Sequence, residues 1–322
     1  MVEVVLKQRD TAIDFVKAIA AIMVINSHMQ ICYPGHEYLA TGGSIGDALF
    51  FFASGFALFL GRKMDFINWY KRRIGRIIPT MIAMGLIACL VFQSDESFLD
   101  IMLARRYWFL QCILVLYIFF YPVIKHPAII NKVGLSSLAL FIILYFCFFN
   151  YESNGLYYGT DNVFRWVAYF PIMLMGGVIC INKDKIKYRW FSLPLLLICI
   201  FGWYGTLYLF GRTNLYIISY IPFVGIPFFA YMVGKALFIT HLYERKWIGN
   251  ILYILGSICL ECYLIQYFIF TDKLNGIFPL NVPIIIISVI ISAYLLHALG
   301  NLLSQVFDSK LFEWRAMFIY KK

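Results

Sequence analysis

Charge is scarce in this sequence. Asp, Glu, Lys and Arg make up 14% of the 322 residues, with only 17 acidic residues against 27 basic ones. At 62% hydrophobic and 19% aromatic, the chain is too apolar for a single soluble core of that length. A water-soluble globular enzyme is excluded, and a polytopic membrane protein is expected. Also missing are an internal repeat, a low-complexity segment and any polar stretch long enough to carry chemistry as a soluble domain. The N-terminal stretch has no short apolar core followed by a small-residue cleavage site, so residues 10–31 read as a retained first span. Second cysteine pairs are absent too. Cys259 and Cys262 form a C-x-x-C inside an apolar run with no His at ligand spacing, so neither a metal site nor redox chemistry is read there. The other cysteines lie almost entirely within apolar runs, where they serve as small packing residues.

What the sequence does contain is a series of apolar runs at about 10–31, 45–60, 77–93, 107–124, 133–150, 166–181, 191–210, 215–238, 250–270 and 282–303. Each is judged against the roughly 20 residues a helix needs to cross a bilayer. The fold class expected is an all-α membrane protein, a bundle of about ten transmembrane helices in one domain over 1–322. The second run is short, enters through Gly42-Gly43 and is expected to be tilted or partly re-entrant. The net charge of +10 does not imply a nucleic-acid partner. The basic residues sit in short connections, and Lys7/Arg9, Arg62 to Arg76, Lys125/Lys132, Lys183 to Arg189, Arg245/Lys246 and Lys310 to Lys322 alternate with poorer ones. That asymmetry puts both termini on the cytoplasmic side. The tail 304–322 mixes apolar and basic residues and is expected along the inner interface.

Ionisable residues inside such runs are costly in hydrocarbon and mark function. From Asp14 to His28 the first run holds an acid, Lys17 and an imidazole. The eleven steps from Lys17 to His28 make three helical turns plus roughly 20°, so both side chains share one face, about 16 Å apart along the axis. The plain alternative is a snorkelling lysine and an interfacial histidine. A cation below and a titratable ring above also suit a long molecule with an anionic head, threaded along the helix.

Four further motifs stand out. Tyr70 to Arg76 is the densest basic run. In a helix Arg72, Arg73 and Arg76 become neighbours, and paired guanidinium forks suit phosphate, although a positive loop touching anionic lipid accounts for the charge alone. Asp47 to Phe56 places Ser54-Gly55 inside a helix, where close packing is the plainer role and a serine nucleophile would need a base. Trp108, beside Arg105-Arg106, fits an aromatic belt or one wall of an acceptor site. Glu261, in mid-run with Tyr263 and Gln266 nearby, should point into the bundle toward a partner.

Together these motifs resemble the acyltransferase-3 family of polytopic membrane acyltransferases. R-x-x-x-I-D-F-x-K-A-I-A-x-x-x-V-x-x-x-H is similar to its first-span signature, with Arg9, Asp14, Lys17 and His28 on matching positions. F-F-F-A-S-G-F resembles its second-span motif, R-I-G-R-I-I-P its R-x-x-R followed by Pro, and Y-W-F-L with L-Y-I-F-F-Y-P its fourth-span pattern. S-I-C-L-E-C-Y-L-I resembles its late motif, which many members end in His where Gln266 stands here. Gln can hold a ligand but is no base near neutral pH, which leaves His28 as the imidazole catalyst. The soluble esterase-like domain of some members is not among these residues, so no relay through one is expected.

The resemblance implies transfer of an acyl group, most often acetyl, from acetyl-CoA or another acyl-CoA to a hydroxyl of an envelope glycan or glycolipid, without a metal. It implies an integral multi-pass protein of the bacterial inner (plasma) membrane, in contact with membrane lipids and with its oligomeric state open. His28 would be the general base, or the carrier of an acyl-imidazole. Arg9, Lys17, Arg72, Arg73 and Arg76 would bind the donor phosphates, with Asp14, Asp47, Ser54, Trp108, Glu261, Tyr263 and Gln266 in supporting or substrate-lining roles. A different class of reading is a proton-coupled transporter or flippase of an amphipathic anion, with Lys17, Glu261 and His28 as a relay. A non-catalytic scaffold has no need of the arginine pair or of Lys17 and His28 in register.

Overall fold

The computed structural model describes residues 10–61, 64–93, 97–104, 107–150, 156–157, 163–306 and 312–319. Among them there is no strand, only helices and connections. The chain begins with α1 (Thr11–Ser27) and α2 (Gly43–Phe59), then a short polar helix α3 (Phe66–Ile74), α4 (Ile78–Leu90) and the brief α5 (Phe98–Met102). The middle consists of α6 (Trp108–Lys125), α7 (Ile130–Phe148), α8 (Val163–Ile181), α9 (Ser192–Phe210) and α10 (Tyr220–Gly234). It closes with α11 (Leu237–Glu244), α12 (Lys246–Ser257), α13 (Cys259–Ile269) and the long α14 (Asn281–Val306). Eight helical stretches among the described residues are long and apolar enough to cross a membrane, and nine if α12 and α13 count as one. The protein is an all-α membrane bundle.

Local chemistry sets where the helices start. The Asp10 carboxylate accepts from the backbone N–H groups of Ala12 at 3.0 Å and Ile13 at 3.4 Å, which caps α1. The same carboxylate takes Lys235 Nζ at 2.7 Å and the Tyr231 hydroxyl at 2.9 Å, so the cap also ties α1 to the end of α10. Gly42 opens α2 in the left-handed conformation, at φ +96°, which a glycine adopts without penalty.

α2 is the axis of the bundle. Its neighbours are α1, α8, α10 and α6, and 72% of its apolar window is buried, against 17% for α7 and 6% for α9. Those two helices therefore form the outer wall. Two glycines allow α2 and α8 to touch: a Cβ on Gly55 would lie 1.8 Å from the Met173 carbonyl oxygen, and one on Gly176 2.0 Å from that of Phe52. The expectation of a re-entrant second span is corrected here, since α2 is an unbroken helix. The break falls instead in the run 250–270, where α12 and α13 meet at 81° around Ile258. Hydropathy alone smooths over such a bend, because both arms are apolar. The described part of the tail packs back on α14, with Asn301 Nδ2 donating to the Met317 carbonyl at 3.3 Å and Met317 buried.

Candidate active site

His28 stands at the C-terminal end of α1, half-buried. The Tyr267 hydroxyl of α13 lies 3.2 Å from its Nε2 and 3.3 Å from its Nδ1, and the two rings are 5.1 Å apart. Both residues line a cavity of about 320 Å³ together with the polar side chains of Ser27, Gln30, Thr41, Ser44, Tyr157, Asp47 and Arg165. Room for it comes from the glycine entry to α2. Gly42 and Gly43 form part of the wall, and a Cβ on Gly43 would sit 2.5 Å from Ser27 Oγ.

At the floor of this cavity lies a buried ion pair. Arg165 Nη2 of α8 is 3.4 Å from Asp47 Oδ2 of α2, and each residue is 7% exposed. The guanidinium carbon lies over the Trp108 ring, 3.5 Å from its centre, a cation–π contact that holds it in place. Trp108, at the start of α6, thus lines the His28 cavity and supports its cation.

Asp47 also lines a second cavity, of about 310 Å³. Its wall includes Lys17, Ser54, Tyr117, Tyr263 and the residues at the α12–α13 break, Gly256, Ser257 and Cys259. Ser54 Oγ and the Tyr117 hydroxyl are 3.1 Å apart, so the serine is paired with a phenol. Gly256 packs closely on α1, where a Cβ would meet the Asp14 carbonyl oxygen at 3.1 Å.

A third cavity, of about 330 Å³, is lined by Arg72, Arg73 and Arg76 with Gly61, Met64 and Trp69. Ala57 and Arg76 line it and the central cavity alike. The basic run is helical only in part: α3 ends at Ile74 and the chain turns at Gly75, with Arg76 N–H on the Arg73 carbonyl at 3.2 Å. The turn still brings the three guanidinium groups to one hollow. The Arg73 guanidinium carbon lies over the Trp69 ring at 5.6 Å from its centre. At the start of α3, Asp65 accepts from the backbone N–H of Asn68 at 3.0 Å and from its Nδ2 at 2.7 Å, and these bonds hold its carboxyl below the usual aspartate value.

The three cavities are consecutive by shared walls, His28 at one end and the arginine cluster at the other, with Lys17 between. Not every residue singled out from the sequence joins them. Asp14 is buried on α1, where its Oδ2 accepts from the Tyr243 hydroxyl at 2.8 Å. Glu261 lines none of the three cavities. It bonds His297 Nδ1 of α14 at 2.7 Å. Gln266 is fully buried and likewise lines none of them. Arg9 lies outside the described residues.

Sequence reasoning missed Arg165, which reads as a lone charge at the foot of a span. It also missed Tyr267 and Tyr117, which are indistinguishable from the many other tyrosines. The signal for Arg165 was available in principle: a buried Asp47 requires a cation.

A family model described as an acyltransferase domain matches residues 10–298 of the 322. No curated protein and no solved structure matches the chain. The matched span takes in all three cavities and every helix up to most of α14, and on that basis the chain belongs to the acyltransferase-3 family and is a membrane acyltransferase.

Proposed function

We propose that the chain moves an acyl group, acetyl in the first instance, from coenzyme A to a hydroxyl of a cell-envelope sugar or a related acceptor. The observation that carries this reading is the run of three cavities with shared walls. It offers a cationic hollow for phosphates, a mostly apolar passage for an extended arm, and a chamber in which polar side chains surround an imidazole. A single molecule with an anionic head and a thioester tip has that same order of parts.

In this reading Arg72, Arg73 and Arg76 hold the donor phosphates at the cytoplasmic face. Paired guanidinium groups do so by charge-assisted, often bidentate hydrogen bonds. The arm of the donor passes Lys17, Ser54, Tyr117 and Tyr263, and the thioester reaches the boundary marked by Asp47. The acceptor hydroxyl occupies the outer chamber, and His28 takes its proton as general base, with the Tyr267 hydroxyl orienting the ring.

Mass spectrometry of envelope glycans from cells with and without the protein tests the reaction. Loss of an acetyl-sized mass in its absence, and in cells carrying His28→Ala, is the expected result. Release of free coenzyme A that depends on envelope acceptor separates this from anion transport, which breaks no thioester. A His28→Ala protein that inserts, binds donor and turns over at the native rate removes His28 from the mechanism.

A further inference from the structure

Among the described residues lining the His28 cavity, Arg165 is the one Lys or Arg. Lys17 lines the central passage and not this chamber. Arg165 sits where the two spaces meet, because its partner Asp47 lines both. A purely structural ion pair would tie α2 to α8 inside closed packing. This one lines the chamber, with the Trp108 ring 3.5 Å from its guanidinium carbon.

We propose that Arg165 is a catalytic residue of the transfer, holding the thioester carbonyl oxygen as it becomes an oxyanion, and that Asp47 and Trp108 are its positioning residues. The inference rests on the acyl-transfer reading above and adds to it the group that stabilises the developing charge. The acceptor oxygen bonds to the carbonyl carbon while its proton passes to His28, and the carbonyl electron pair moves onto oxygen. On collapse the C–S bond breaks, the pair leaves with sulfur, and the imidazolium returns its proton to the coenzyme A thiolate. A preorganised cation in a chamber sheltered from bulk water is the usual source of stabilisation for such an oxyanion. A guanidinium presents five N–H donors in a rigid fork, so holding a carboxylate and an oxyanion together is within its geometry.

The test uses the full-length protein in lipid nanodiscs with acetyl-CoA labelled with carbon-13 at the carbonyl, read by difference infrared spectroscopy. Bound to the native protein, the carbonyl stretch should fall in frequency. In Arg165→Gln the shift should vanish while the donor dissociation constant stays within about threefold, because the phosphate hollow is untouched. Arg165→Lys should keep part of it. The double variant Asp47→Asn/Arg165→Gln, which leaves no buried carboxylate unpaired, should bind donor with no shift. Glycan acetylation should drop about a hundredfold or more in the Gln variants. An unaltered shift in Arg165→Gln overturns the inference, as does a loss of donor affinity matching the loss of shift. A native protein that binds no acetyl-CoA overturns the donor reading and this inference with it. A His28→Ala protein with native turnover and a normal shift overturns only the base assignment.

Discussion

The Tyr267 hydroxyl lies within 3.3 Å of both ring nitrogens of His28, 3.2 Å from Nε2 and 3.3 Å from Nδ1. The one hydroxyl contacts both nitrogens, and removing it frees the imidazole to turn. Tyr267→Phe keeps the aromatic contact and deletes only the hydroxyl. Loss of one orienting hydrogen bond of about 1 to 1.5 kcal/mol predicts about a tenfold fall in turnover, with donor affinity unchanged. Acceptor-dependent coenzyme A release measures the first and equilibrium binding of acetyl-CoA the second. Native turnover in the Phe variant would remove the hydroxyl from any part in the chemistry.

The arginine hollow predicts the opposite split. Hydrogen bonds to charged groups contribute about 1.5 to 3 kcal/mol, so Arg73→Ala and Arg76→Ala should each weaken donor binding by roughly ten- to hundredfold. The Lys132→Ala control, outside all three cavities, should not. Affinity should also fall as salt is raised, since Arg72 and Arg76 are exposed to solvent. Acid is a further lever through the Asp65 cap. Its pKa is lowered on folding, so the cap is complete above the unfolded-state value and is lost as pH falls through the lower folded value. Equilibrium binding across salt and pH checks both, and an affinity indifferent to Arg73, Arg76 and ionic strength alike would place the phosphates elsewhere.

His28, Lys17 and the arginine run were legible because each combines a rare residue type with a helical spacing that fixes its face. Ten spans were drawn, and most boundaries fall within a few residues of the helices. What was not legible depends on contacts between distant segments. Arg165 and Asp47 are 118 residues apart in the chain, and neither position alone announces the other. Tyr267 belongs to a run that hydropathy draws as one straight span, and only the 81° bend at Ile258 separates its helix from the preceding one. Glu261 was correctly expected to require a partner. His297, 36 residues further on, is that partner, and it was hidden in the most apolar span of the chain.

That pair carries its own prediction. Glu261 bonds His297 Nδ1 at 2.7 Å with side-chain exposures of 5% and 20%, and it lines none of the three cavities. Its role is then to hold α13 to α14. Glu261→Leu should cost up to about 3 kcal/mol, the lower edge of what breaking a buried pair costs, because His297 is partly exposed. The double variant Glu261→Leu/His297→Leu should regain much of that stability. Thermal unfolding in detergent provides the stability and acetyl-CoA binding below the transition the function. A Glu261→Leu protein of native stability that has lost donor binding would return Glu261 to the substrate path.

The α2–α8 contact yields the sharpest structural test, because two glycines on one bundle face opposite environments. A Cβ on Gly55 would fall 1.8 Å from the Met173 carbonyl oxygen, which is backbone and cannot rotate away. A Cβ on Gly134 of α7 meets nothing within 4 Å. Gly55→Leu should force α2 and α8 apart and cost more than about 3 kcal/mol, beyond ordinary overpacking. Because Asp47 and Arg165 sit on those same two helices, the ion pair at the floor of the His28 chamber should open with them. Gly134→Ala, by contrast, removes a flexible residue from a helix interior and should leave stability unchanged or raise it by up to about 1 kcal/mol. Unfolding midpoints of the two variants in the same detergent decide the matter. A Gly55→Leu protein as stable as Gly134→Ala would mean that the two helices do not meet at this glycine.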